Sequence, residues 1–328
     1  RYDGRNIDRG VNMDKDALVA HLVGPGRADE QECIKLSATK FIAKTVWNGL
    51  KLHECEFLRV YAAGTAAHKA VLIGRSAAMI QSIWTLPIRD APVTLANPER
   101  MPPRKAQWPK GVEYRAMKIP PTDYGVVTPA GEPLRVTTRT RTAVDIARMY
   151  GVRHGAVAMD SLFYRQSFAE QDSIRTQLRA CIDRLAGKRG IANARQALEW
   201  SSTRSESPYE SLARVILRER GIVVQEQMWI GRYARPDLLW GQLAIEIDGE
   251  GKMGGKEAAL DQISRENWIR IQRYEVARVP PRDILRDEEG VVRQILELKE
   301  RSMLLDGPKV IATSYRPQHG EDWRRKKS

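Results

Sequence analysis

Apolar residues recur at helical spacing beyond residue 40, with Ile73, Ala77, Ile80 and Trp84 forming one stripe. The run from "ATKFIAKTVWNGLKL" through "VLIGRSAAMIQSIWTL" therefore predicts a helix-rich segment. The periodicity then lapses. "APVTLANPERMPPRKAQWPKGVEYRAMKI" is punctuated by proline and predicts short strands and loops. "RVTTRTRTAVDIARMYG" returns to helix, with Thr142 and Asp145 spaced as a capping box and Gly151 as its stop. Helical pattern continues to about Trp200, where the polar stretch "SSTRSES" predicts a domain boundary.

Beyond that boundary, "SPYESLARVILRERG" predicts a helix with Ser207 as N-cap, Pro208 at the first helical position and Glu210 at the capping-box site. "RPDLLW" and "LAIEID" alternate as strands around Gly241-Gln242, a two-residue loop suited to a type II′ hairpin. Closing that turn pairs Trp240 with Leu243 and sets Asp237 opposite Glu246, with Asp248 on the same face. A helix, "EAALDQISRENWIRIQRYE", a strand in "VARVPPRDI" and a last helix follow. The fold expected is α/β: an α+β first part, then a mixed sheet with helices packed on it.

The opposed carboxylates change the picture. With Cβ atoms about 5 Å apart they repel by about 3 kcal/mol at an effective dielectric of 20. A protonated acid, an intervening basic side chain or a hard divalent cation offsets such repulsion, and oxygen-only ligands suit Mg²⁺ or Mn²⁺ better than zinc. An acidic, solvated sheet face is the plainer alternative.

Charge separates the two parts. Residues 1–204 carry 32 Lys and Arg against 20 Asp and Glu, and residues 205–328 carry 22 against 21. The basic first part favours a polyanion, because each neutralised phosphate releases counterions. Arg135, Arg139 and Arg141 are its candidate phosphate contacts, although an exposed sheet edge accounts for them equally well. Cys33, Cys55 and Cys181 have no paired spacing and read as small buried hydrophobes rather than a disulfide or zinc framework. No apolar run reaches about 18 residues and the start is polar, so a cytoplasmic protein without membrane partners is expected. A chain opening on Arg1 without methionine reads as trimmed or partial. Residues 1–30, broken by "GPGR", read as a flexible segment, and 306–328, ending "DWRRKKS", as a basic tail.

A helix with a glutamate, then "PD", then "EID", then a helix and the strand in "VARVPPRDI", resembles the PD-(D/E)xK nuclease superfamily. The closer likeness is to its branch related to very-short-patch-repair (Vsr-like) endonucleases, with the pattern "VDF…LAVEYDG…K", a helix "R-x-x-x-L" and a strand "WxVxRV". The first part, through "VLIGRSAAMIQSIWTLP" and "VTTRTRTAVDIAR", resembles abortive-infection antitoxin-like proteins. The resemblance implies a restriction-endonuclease-like sheet over 205–305 and a basic, antitoxin-like DNA-binding region over 31–204. It implies a DNA endonuclease acting in phage defence, with Asp237, Glu246 and Glu210 as ligands for Mg²⁺ or Mn²⁺.

Where the superfamily usually carries a lysine, two positions after Glu246, this chain has Asp248. Lys252 is then the stand-in cation, with Asp248 instead helping to hold the metal, Lys256 near the DNA and Gln227 holding DNA or orienting a ligand. The second reading is a transcriptional regulator or antitoxin built on a degenerate nuclease fold. RNA stays open as a substrate. So do a homodimer and a co-encoded protein partner.

Overall fold

The computed structural model describes residues 13–29, 31–247 and 255–318, with backbone alone for 255–259 and 261. The chain is mixed α/β and divides into two compact units between Ser201 and Ser202.

The first unit opens with α1 (Lys15–Ala20) and the strand pair β1 (Cys33–Lys35) and β2 (Phe41–Ala43), followed by α2 (Lys44–Gly49) and α3 (Leu52–Ala66). Strand β3 (Val71–Leu72), helix α4 (Gly74–Ile80) and strands β4 (Val93–Ala96), β5 (Val112–Arg115), β6 (Tyr124–Val127) and β7 (Leu134–Thr137) come next. The last five strands named form one mixed sheet in the order β5-β4-β3-β7-β6, with β3/β7 and β4/β5 parallel. Helices α5 (Arg139–Tyr150), α6 (Val152–Phe163), α7 (Phe168–Arg184) and α8 (Ile191–Trp200) complete the unit.

Among the described residues of this unit, two large apolar cores and a smaller one result. Phe57, Tyr61, Leu72, Leu95 and Leu134 fill one, between α3 and the sheet. Val144, Met159, Phe163, Leu178 and Ala197 fill the other, among α5 to α8. Gly155 is required there: a Cβ on it would lie 2.3 Å from Ala147 Cβ, so its absence lets α5 and α6 approach closely.

Several elements of the first unit depart from the sequence expectations. The segment 1–30 is not loose throughout, because Leu18 of α1 joins the sheet core and Val23 bridges to Phe41. The stretch expected to be helix-rich also contains β2 and β3, whose Ile42, Val71 and Leu72 are wholly buried. Helix α5 starts earlier than a cap at Thr142 predicts: Thr138 is the N-cap, accepting the Arg141 N–H at 3.4 Å. Thr142 is instead buried against the Thr137 hydroxyl at 2.7 Å.

His154 of α6 lies against the Tyr150 ring, and its Nδ1 is buried with no hydrogen-bond partner among the described residues. Burial first, then the Arg75 and Arg153 charges, hold its pKa down to about 4. An unfolded histidine titrates near 6.5, so protons favour the unfolded chain. This contribution to stability is full above pH ~6.5 and is lost as pH falls towards the folded value. Between pH 7 and pH 4.5 the wild-type protein should lose about 1–2 kcal/mol more than His154→Gln in denaturant titrations. Equal losses would show that His154 is not buried as a neutral ring.

In the second unit, α9 (Pro208–Glu219) precedes β8 (Gln225–Glu226), β9 (Leu238–Trp240) and β10 (Leu243–Glu246). Helix α10 (Gly255–Ile271), strand β11 (Glu275–Arg278), α11 (Pro281–Arg286) and α12 (Glu288–Met303) follow. The sheet order is β11-β10-β9-β8, parallel only between β10 and β11. The hairpin closes with Leu243 against Trp240, as the Gly241-Gln242 loop predicts, and Gly241 takes φ +60° while Gln242 does not take a positive φ. One face of the sheet packs Leu239, Ala244 and Val276 against Ile269 of α10.

Residues 306–318 are not a free tail. Thr313 exchanges both backbone hydrogen bonds with Trp229, at 2.7 and 2.9 Å, and Val310 O accepts the Tyr274 hydroxyl at 2.8 Å. The remaining tail residues, 319–328, lie outside the described residues.

Candidate active site

The site is a row of side chains across the second unit's sheet. Leu239 pairs with Ala244, so two steps further out Asp237 falls opposite Glu246, on the same face. Backbone bonds extend the row at both ends. Gln227 N–H donates to Asp237 O at 3.0 Å, and Glu246 is in register with Arg278 of the parallel strand β11. The row thus reads Gln227, Asp237, Glu246, Arg278.

Helix α9 brings a further acid. Ser207 Oγ accepts the Glu210 N–H at 3.2 Å, which fixes the first turn as the sequence predicts. The Glu210 carboxylate, however, accepts from the backbone N–H of Glu206 at 2.8 Å, one residue beyond the expected Ser207 partner. The same Oε2 accepts the Gln227 amide at 3.0 Å, and that amide also faces Asp237 Oδ1 at 3.5 Å. Asp237 Oδ2 accepts the Ile247 N–H at 2.7 Å, tying the start of β9 to the end of β10.

Glu210, Gln227 and Glu246 are at most 8 % exposed, whereas Asp237 is half-buried and opens the row to solvent. Carboxylates this buried need strong partners. Gln227 provides one: its amide donates towards two of them at once. Its backbone is held at φ +54°, the left-handed region, which turns the chain out of β8 at the first member of the row.

Oxygen donors of this kind suit Mg²⁺ or Mn²⁺ in their chemistry. Among the described residues, no group of three or more His, Cys, Asp or Glu side chains is arranged as a metal site. Glu210 and Asp237 are two carboxylates joined by the Gln227 amide, with Glu246 beside them in register, and they do not form a closed three-ligand cage. Asp248 and Lys252 lie outside the described residues, and of Lys256 only the backbone, in α10, is described.

The first unit's arginines divide. Arg141 is 1 % exposed and cannot reach a phosphate. It is bound to Asp123 at 2.6 Å and Asp145 at 2.7 Å, while Arg148 and Arg184 close the same network on those acids. Burial works against the Arg141 charge, but Asp145 and Asp123 outweigh it and raise its pKa. Arg135, on β7, and Arg139, at the start of α5, are exposed.

Arg139 lies with Lys15 on a cleft of about 300 Å³ that also involves Gln81 and Thr128. Lys15 Nζ donates to Ile80 O and to Ser82 Oγ, both at 2.8 Å, and Arg139 to Gln81 O at 2.8 Å. These carbonyls end α4, and helix C-termini attract cations. Burial, then the Arg139 charge, lowers the Lys15 pKa. Sequence reasoning did not reach Lys15, since α1 meets α4 only through the tertiary fold. Arg278 was also missed, because its register depends on a parallel pairing across α10.

No family model matches the chain. Two curated relatives do, both from Mycobacterium tuberculosis: uncharacterized protein MT2308 of strain CDC 1551 / Oshkosh and uncharacterized protein Rv2248 of strain ATCC 25618 / H37Rv. Each is 27 % identical over 150 residues, covering 42 % of this chain. The chain spans about half the length, 51 %, of the curated relatives it matches. Among the described residues, no helix is long and apolar enough to cross a membrane.

Proposed function

We propose that the chain is a Mg²⁺- or Mn²⁺-dependent DNA endonuclease with a restriction-endonuclease-like second unit, acting against foreign DNA. The observation that carries this reading is the row Gln227, Asp237, Glu246, with Glu210 joined to it through the Gln227 amide. The acids in sequence order match the superfamily pattern, and their burial argues for a dedicated partner rather than a solvated acidic face.

In this reading Asp237 and Glu246 hold the ion, and Glu210 steadies the arrangement through Gln227. Bound there, such an ion would supply Lewis-acid polarisation of the phosphodiester and would lower the pKa of a water it holds. The basic first unit supplies attraction for the duplex that the nearly neutral second part lacks. Lys15 and Arg139 are proposed as its backbone contacts, and Arg135, exposed on β7, as a further one.

Asp248, in place of the usual lysine, favours a second reading, a DNA-binding regulator or antitoxin without catalysis. Incubating supercoiled plasmid with the protein and Mg²⁺ or Mn²⁺ separates the two. Nicking by wild type and not by Glu246→Ala supports the endonuclease. Tight binding to one operator without cleavage in either metal supports the regulator.

The DNA contacts make a separate prediction. In Lys15→Ala/Arg139→Ala the slope of log affinity against log salt should flatten by about 2, the loss of two phosphate contacts. An unchanged slope would confine both cations to capping α4.

A further inference from the structure

We propose that Arg278 supplies the cation that the motif lysine would have supplied, donating to a non-bridging oxygen of the scissile phosphate. This assignment rests on the endonuclease reading above. Its basis is register: Arg278 is the in-register partner of Glu246, and each is the last residue of its strand in the one parallel pair of the sheet. Parallel neighbours in register share a face. Arg278 therefore stands one strand step, about 4.8 Å, from Glu246 and two from Asp237.

Open sheets bind ligands outside the carboxyl ends of their parallel strands, and the row lies at that end of β10 and β11. The Val279 N–H donates to Glu246 O at 2.9 Å, so the pairing persists to the strand ends and holds Arg278 at this edge.

Burial agrees with the position. Glu275, Val276 and Ala277 are buried, while the Arg278 side chain is 43 % exposed, so a phosphate can reach it from solvent. Its Nη1 also contacts Glu266 of α10 at 3.1 Å, a partly exposed ion pair. The planar fork of an arginine suits phosphate oxygens bidentately.

The chemistry requires such a group. An anionic phosphodiester approaching Asp237 and Glu246 meets two carboxylates, and the position two after Glu246 adds an acid, Asp248, instead of a cation. In hydrolysis the water oxygen forms the new P–O bond and the P–O bond to the leaving sugar oxygen breaks. One water proton ends on that leaving oxygen. Arg278 neither gains nor loses a proton. Its N–H donors face the negative charge that builds on the non-bridging oxygens as the bonds exchange.

The test compares full-length wild type, Arg278→Ala, Arg278→Lys and Glu266→Gln on supercoiled plasmid with Mg²⁺ or Mn²⁺, with DNA affinity measured in Ca²⁺. Arg278→Ala should cleave roughly 10²-fold more slowly or worse at saturating DNA. Its affinity should stay within about 3-fold, because other contacts dominate binding. Arg278→Lys should regain roughly 10-fold, since a point charge replaces part of the donor set. Glu266→Gln should stay within about 3-fold of wild type, whereas a purely structural ion pair would make it as slow as Arg278→Ala. Wild-type cleavage with an equally active Arg278→Ala, or with Glu266→Gln equally impaired, overturns the assignment alone. Plasmid left intact by wild type in both metals removes the endonuclease reading and the assignment together.

Discussion

In the Glu246→Gln protein, supercoiled plasmid should survive Mg²⁺ for roughly 10² to 10³ times longer than it survives the wild type. Glutamine keeps the length and shape of the side chain but removes the charge. Glu246 is 4 % exposed at the end of β10, between Asp237 and Arg278 in the row. A hard cation is held by charged oxygen, and an amide oxygen on one of the two proposed ligands would weaken it while leaving the strand pairing intact. Losing Lewis-acid stabilisation of the phosphate is worth several kcal/mol at the transition state, which sets the expected factor. Cleavage by Glu246→Gln within about 3-fold of wild type would deny Glu246 any part in the chemistry.

The second large effect is on stability. Arg141→Ala should destabilise the first unit by about 3–5 kcal/mol. Asp123 and Asp145 are 1 % and 0 % exposed, and Arg141 lies between them. Removing it leaves two buried carboxylates, served among the described residues by Arg184 and Arg148 at the edges of the network. Asp123 ends the turn before β6, and its backbone O accepts the Thr138 N–H at 2.9 Å, so the loss spreads to the junction of β7 and α5. Scanning calorimetry of the full chain should show the transition of this unit falling by roughly 10 °C. An Asp123→Asn/Arg141→Met/Asp145→Asn variant should recover part of the loss, because removing all the charges is far cheaper than stranding some. A fall of under about 2 °C in Arg141→Ala would mean that the network contributes little.

Local chemistry was legible in the sequence where a few residues decide the outcome. Gly241-Gln242 fixes the hairpin, and with it the register of Asp237 and Glu246, because a two-residue loop leaves no slack. Ser207 and Pro208 fix the start of α9 for a similar reason. The same local logic erred at α5. Two threonines compete for the cap, and Asp145, which looked like the far half of a capping box, is committed to Arg141 and Arg148. Arg141 read as a phosphate contact because its exposure depends on Asp123, distant in sequence and adjacent only after folding.

Long-range pairing limited the rest. The register of β10 with β11 is set by how α10 returns the chain, and nothing in "YEVARV" announces that Arg278 will stop beside Glu246. The segment 306–318 looked like polar tail because its anchoring runs through backbone bonds to Trp229 and the Tyr274 hydroxyl, which composition does not reveal.

Calorimetric titration of the full-length protein with Mn²⁺ bears most directly on whether the row is a metal site. Wild type should bind one ion per chain, and Asp237→Asn/Glu246→Gln should bind it roughly 10-fold more weakly or worse. Absence of binding to wild type at millimolar Mn²⁺, or equal binding by the double variant, would contradict the account.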